Sequence, residues 1–151
     1  MLVTNMKKHS GCLFCRWIPI KENNLPADIA FRIVDIQDNY FAVLDIAPKI
    51  MGHTLVISQE PYNDMLDERL QQERGKEVIL DMFNGALKIS RRLKENLKAE
   101  KVYMVTMCEH WEKSQLRKRQ PTTEHLHFHV IPQYEKNPIK TESIVAEELV
   151  A

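Results

Sequence analysis

Residues 125–130 read His-Leu-His-Phe-His-Val, which places three of the chain's six histidines within five positions. On a β-strand, successive side chains point to opposite faces. His125, His127 and His129 would therefore share one face, and Leu126, Phe128 and Val130 the other. Neighbouring imidazoles on that face would stand roughly 6.5 to 7 Å apart. An imidazole titrates near pH ~6.5 and is at once a base, a metal ligand and a nucleophile suited to a covalent phosphoryl-type intermediate. Three readings compete: structural placement, a His-only metal site shared by i and i+2 strand residues, and nucleophilic chemistry. Strict alternation against apolar anchors favours the last. Pro132 is expected to close the strand, because it has no N–H for a ladder.

A second pair of reactive side chains stands at Cys12-x-x-Cys15. Half of a zinc site and a pair of buried thiols account for it equally well, whereas a thioredoxin-like role lacks the surrounding βαβ pattern. The three cysteines cannot all pair within one chain. Met1–Trp17 has no continuous apolar stretch of the signal-peptide kind, and nowhere do apolar residues run long enough to span a bilayer. A reduced, cytoplasmic protein without a membrane anchor is the expectation. Lys+Arg and Asp+Glu balance at 21 each. No global basic field exists to gather nucleic acid or an anionic membrane, so a nucleotide would have to be held by a local site.

The elements that must position these groups form a single domain over residues 1–151. It has an irregular N-terminal segment (1–28) and a weakly amphipathic tail (138–151). Ile29–Ile36 and Tyr40–Ile46, joined at Asp38-Asn39, predict a hairpin, and His53–Ser58 a third strand. From Asn63 the period changes to 3.6, with Ile79, Met82, Phe83, Ala86, Leu93 and Leu97 on one helical face. Asn63 or Asp64 is the expected cap, and Gly75 the expected break between a short helix and a long one. The short connections among the first three strands favour antiparallel neighbours, and Val102–Met107 and Leu126–Ile131 complete five strands. Cys108–Glu124 is a long polar loop. Its Arg117-Lys118-Arg119 run reads as solvated charge more readily than as a phosphate contact, and Trp111 suits base stacking or loop packing equally.

Taken together, His-Leu-His-Phe-His-Val-Ile-Pro, Cys12-Leu-Phe-Cys15, and the stretch from Phe41 to Pro48 and on through Gly52-His-Thr-Leu-Val-Ile57 resemble the histidine-triad family. The resemblance covers most of residues 12–60 and 102–134. It implies an α+β fold with a five-stranded antiparallel sheet, a long helix and a homodimer. It also implies a nucleotide hydrolase or transferase working through a nucleotidyl-histidine intermediate on a purine nucleotide or nucleotide conjugate. By motif position His127 would be the nucleophile, and His129 would assist at the phosphate. His125 would stand behind as a structural or proton-relay residue, and His53 would join the same network. Asp45 would bond the ribose hydroxyls, Ile46 would help form an apolar slot for the base, and Thr122 would bond a phosphate oxygen or protonate the leaving group. No cofactor is required for this chemistry.

The chain departs from the pattern in two places. Before the triad it carries Gln120-Pro121-Thr122-Thr123-Glu124, where many members have Gly-Gln-Ser/Thr-Val. In zinc-binding members two cysteines and the first triad histidine are joined by a further histidine, and here that position is Pro61. Cys12, Cys15 and His125 remain as a three-ligand set for structural zinc, with Asp64, His110 or Cys108 as possible fourth ligands. The first departure motivates an alternative, a nucleotide-binding regulatory module of weak catalysis. The cysteine pair motivates another, a zinc-stabilised interaction protein.

Overall fold

The computed structural model describes residues 12–18, 27–106 and 125–135. The expectations for Cys108–Glu124, Thr122 and Trp111 among them, and for the tail, lie outside these residues. The described elements are α1 (Leu13–Trp17), α2 (Ala27–Ala30), β1 (Ile33–Ile36), β2 (Tyr40–Leu44) and β3 (Thr54–Ser58). A 3-10 turn (Glu68–Gln71), α3 (Glu73–Leu97), β4 (Lys101–Val105) and β5 (His127–Gln133) follow. The five strands form one antiparallel sheet in the order β1-β2-β3-β5-β4. The α+β class, the antiparallel sheet and the long helix are as expected.

Strand alternation divides the core in two. Tyr40, Ala42, Val56, Phe128 and Val130 pack under Val78, Met82, Ala86, Ile89 and Leu93 of α3. Phe41, Val43, Leu55 and Ile57 face the other way and are covered by Phe14 and Trp17 of α1 and Ile29 of α2. Phe41 and Ile57 have no exposed surface, and burying a side chain of that size stabilises the fold by about 1.5–3 kcal/mol. Leu126, Phe128 and Val130 all join the helix-side core, so the histidine face is the one that α1 and α2 cover.

Several boundaries differ from expectation, each for a packing reason. The run expected to be a strand from Ile29 begins pairing only at Ile33, because Ile29 is locked into the second core as part of α2. Gly75 lies inside α3, and the break falls at Gln72, whose backbone is extended. A Cβ on Gly75 would stand 2.2 Å from Leu70 Cα and 2.6 Å from the Arg69 carbonyl oxygen. The glycine thus permits the helix to start directly against the preceding turn. Neither Asn63 nor Asp64 caps α3. Asp67 instead caps the 3-10 turn by accepting from the Arg69 N–H, while Asp64 accepts from the Leu66 N–H at 2.7 Å.

The buried stripe of α3 is also rotated from the expected one: Phe83 is 46 % exposed and Leu97 38 %. Gly85 sets the helix down on the Tyr40 ring, where a Cβ would meet Tyr40 Cζ at 2.5 Å. Pro132 does not end its strand, which runs on to Gln133. The Gln133 carbonyl accepts from the Glu100 N–H at 2.8 Å on the β4 side. Alternation then turns the Pro132 nitrogen toward the β3 side, where pairing reaches only as far as Thr54 opposite Val130. A proline costs nothing where the ladder is already over.

Candidate active site

The β3–β5 ladder sets His129 opposite Leu55 and His127 opposite Ile57. Just before β3 the chain turns through Gly52 at φ +91°, a conformation that favours glycine. The Asp45 N–H donates to the His53 carbonyl at 2.9 Å, closing this β2–β3 loop. His53, only 1 % exposed, is thereby brought beneath His129, and its Nε2 lies 2.9 Å from His129 Nδ1. The rings of His127 and His129 are 5.0 Å apart, centroid to centroid, and inclined at 68°.

A neutral imidazole has one donor and one acceptor, so its partners assign its tautomer. The Lys49 N–H donates to His53 Nδ1 at 3.3 Å, which puts the His53 proton on Nε2. That proton faces His129 Nδ1 at 2.9 Å and the Asp45 carboxylate at 3.5 Å. His129 Nδ1 accepts, and its own proton therefore sits on Nε2. His127 Nδ1 donates to the His125 carbonyl at 2.6 Å, so His127 Nε2 keeps its lone pair. One strand thus presents a bare nitrogen at His127 beside an N–H donor at His129.

Electrostatics keep these rings neutral. Burial lowers the pKa of His53, partly offset by Asp45. Burial likewise lowers that of His127, against the opposing pull of the His125 carbonyl and Asp45. His129 is pushed down to about 2, by burial first and then by His127, His53 and Lys49. Near pH 7 each is a neutral base, which is the state a nucleophile requires.

His125 belongs to a different set of partners. Its Nε2 donates to the Ser58 carbonyl at 2.8 Å, which leaves Nδ1 bare, 3.3 Å from Cys15 Sγ and 3.5 Å from Cys12 Sγ. Zinc bonds of ~2.0 Å to nitrogen and ~2.3 Å to sulfur in a tetrahedron give an N···S edge of about 3.5 Å. The donor chemistry, the spacing and the tautomer all fit structural zinc, with the Ser58 carbonyl as the outer partner that orients the ring. Pro61 is buried and offers no donor. Asp64 does not join the set, and Cys108 and His110 lie outside the described residues. A second gathering of Asp45, His53 and His129 exists, already joined by the hydrogen-bonded proton described above. Among the described residues, neither gathering of three or more metal-ligating side chains is built from the triad histidines alone.

The site therefore unites His127, His129, His53 and Asp45, with His125 turned to the cysteines. Ile46 follows Asp45 and is 50 % exposed, so it presents apolar surface to solvent, while Thr122 lies outside the described residues. Three contributors carried no sequence signal of their own role: the Lys49 amide, the Ser58 carbonyl and the Phe14 ring. The first two act through backbone atoms, which leave no mark on residue type. Phe14 lies between the cysteines in sequence, but its residue type does not say which ring it meets.

A family model described as the HIT domain matches residues 28–136. The chain belongs to the HIT family. An uncharacterized HIT-like protein of Saccharolobus solfataricus is 27 % identical over 127 residues, covering 84 % of this chain and 77 % of that one. Among solved structures, a HIT-like protein involved in cell-cycle regulation from Bartonella henselae superposes with a TM-score of 0.64 at 25 % identity. That match covers 95 % of this chain and 98 % of the other. A HIT family hydrolase from Clostridium thermocellum gives a TM-score of 0.61 at 22 % identity, covering 87 % of this chain and 98 % of its own, and shares the fold. The HIT match begins at residue 28, so Cys12, Phe14 and Cys15 precede it. No helix among the described residues is long and apolar enough to cross a membrane.

Proposed function

We propose that this HIT protein is a nucleotide hydrolase or transferase whose nucleophile is His127. The observation that carries the reading is the 2.6 Å bond from His127 Nδ1 to the His125 carbonyl, which commits the proton to one nitrogen and leaves the other bare. His127 Nε2 attacks the α-phosphorus of a purine nucleotide conjugate, forming a P–N bond as the bond to the leaving group breaks. The leaving group departs with a proton donated by Thr122, which the incoming water later restores. His129, protonated on Nε2, donates to a phosphate oxygen and steadies the charge that builds there. Water then cleaves the P–N bond, releasing the nucleoside monophosphate and restoring neutral His127. Phosphoramidate and dinucleoside polyphosphate linkages both suit this sequence of steps.

Asp45 takes the ribose hydroxyls, since a carboxylate accepts two such bonds. Ile46 lines the base slot, and Thr122 serves the phosphate side. Zinc, where bound, would be held by Cys12, Cys15 and His125 and would pin α1 to the sheet; it takes no part in the reaction. The chain acts as a single domain and as a cytoplasmic homodimer.

The test is intact-mass spectrometry after brief incubation with an adenosine phosphoramidate. Wild type should gain one nucleotidyl increment, and His127→Ala should gain none while still binding the nucleotide. Equal turnover by His127→Ala would sink the assignment. Nucleotide binding with no adduct and no turnover in wild type would favour the regulatory module suggested by Gln120–Glu124.

A further inference from the structure

We propose that Phe14, contributed by α1 outside the matched HIT segment, is a positioning residue for His127. Its ring is nearly buried, at 6 % exposure. It meets the His127 ring edge-on, with centroids 4.9 Å apart and planes at 77°. The same ring meets His125 at 6.0 Å and 80°, and Trp17 at 5.6 Å. The two T-shaped pairs, with His127 and His125, are favoured geometries with a defined angle, so they orient a ring as well as exclude water from it.

The hydrogen bond to the His125 carbonyl fixes one nitrogen of His127 but not the tilt of the ring about that bond. Two rings bound that tilt, His129 at 5.0 Å and Phe14 at 4.9 Å. His129 belongs to the reacting pocket and takes part in the proton network. Phe14 is chemically inert, and its one contribution at His127 is shape.

Phe14 is in turn held by its neighbours in sequence. Cys12 caps α1, accepting from the Cys15 N–H at 3.3 Å, and both sulfurs approach His125 Nδ1. Whatever ties the two sulfurs to His125 therefore also fixes the ring between them. The cysteine cluster reaches the nucleophile by two routes, the His125 carbonyl and the Phe14 ring, and of these the phenyl ring bounds the tilt of the His127 ring.

The inference rests on the reading of His127 as nucleophile, so its test needs one readout that does not depend on turnover. Phe14→Leu keeps an apolar group without a ring, Phe14→Met offers a second filling of the space, and Ile29→Val is a control in the same buried cluster. Nitrogen-15 spectra of the His127 ring at pH 7.5 should show a single Nδ1–H tautomer in wild type and Ile29→Val. Phe14→Leu and Phe14→Met should show exchange broadening or a mixture. In stopped adenosine phosphoramidate reactions, the Phe14 variants should form the adduct about 10- to 100-fold more slowly, as expected for a displaced nucleophile, with KM changed less than about twofold.

An unchanged His127 ring signature in both Phe14 variants, with melting curves showing them folded, overturns the positioning role. A variant that is perturbed at His127 while wild type forms no adduct upholds the positioning and defeats the nucleophile reading instead. If Phe14→Leu fails to fold, Phe14→Met decides. If both unfold while Ile29→Val does not, the role is structural and the proposal fails.

Discussion

His125 and His127 stand two residues apart and meet the same phenyl ring, yet the fold hands them opposite tautomers. In His125 the proton is on Nε2, drawn by the Ser58 carbonyl, and the bare Nδ1 faces two sulfurs. In His127 the proton is on Nδ1, drawn by the carbonyl of His125 itself, and the bare nitrogen is Nε2. One backbone oxygen on each ring decides which histidine suits a metal and which suits phosphorus. Identical side chains acquire different chemistry from the acceptor placed beside them.

Replacing either histidine breaks the comparison in a different currency. His127→Ala should lower nucleotidyl transfer by on the order of 10⁴-fold or more with little change in melting temperature, measured by mass spectrometry and calorimetry. His125→Ala should cost stability first, because it orphans the buried Ser58 carbonyl: about 1–3 kcal/mol in urea unfolding. Stripping metal from protein that carries it, with a chelator, should lower the melting temperature of wild type but not of His125→Ala. A smaller effect is due at His53. His53→Ala removes the donor that sets the His129 tautomer, and kcat should fall about 10- to 100-fold, read by steady-state kinetics with intact nucleotide binding.

The pH dependence sharpens the contrast least, and it falls on the side of it to which His127 belongs. His53 and His129 are held neutral in the folded state, below the ordinary histidine range. Below about pH 6.5 the unfolded chain takes up protons that the folded chain refuses. Stability is therefore full above that pH and falls as the pH drops from 6.5 toward the folded values, by at most about 1.4 kcal/mol per unit for each histidine. Urea midpoints at pH 7.5, 6 and 5 should decline in that order. His129→Gln, which does not titrate, should flatten the slope.

Much of this site was legible before the fold was known. Alternation in residues 125–130 assigned Leu126, Phe128 and Val130 to one face and the histidines to the other, because a buried strand leaves a period of two in residue type. The long helix and the first hairpin declared themselves in the same way. What stayed hidden is whatever depends on contact between distant segments. Gly75 looks like a helix breaker until Leu70 is seen against it. Pro132 looks like a strand end until the ladder beside it proves already finished. Ile29 favours a strand by its own propensity, and tertiary packing overrules it. The tautomers were the least visible of all, since Ser58, Lys49 and His125 act on the rings through main-chain atoms.

The strand that bears the histidines is the last of the described five along the chain, yet it lies between β3 and β4, both synthesised before it. Until β5 inserts, each of those strands presents an unpaired edge, and the pairing of Ile57 with His127 must close a long stretch of chain. Non-local pairing of this kind makes folding slow and leaves edges open to other chains meanwhile. The delay also carries a safeguard. No species that lacks β5 can hold His53 against His129 or Phe14 against His127, so in a refolding experiment the first turnover should not precede the insertion of that strand.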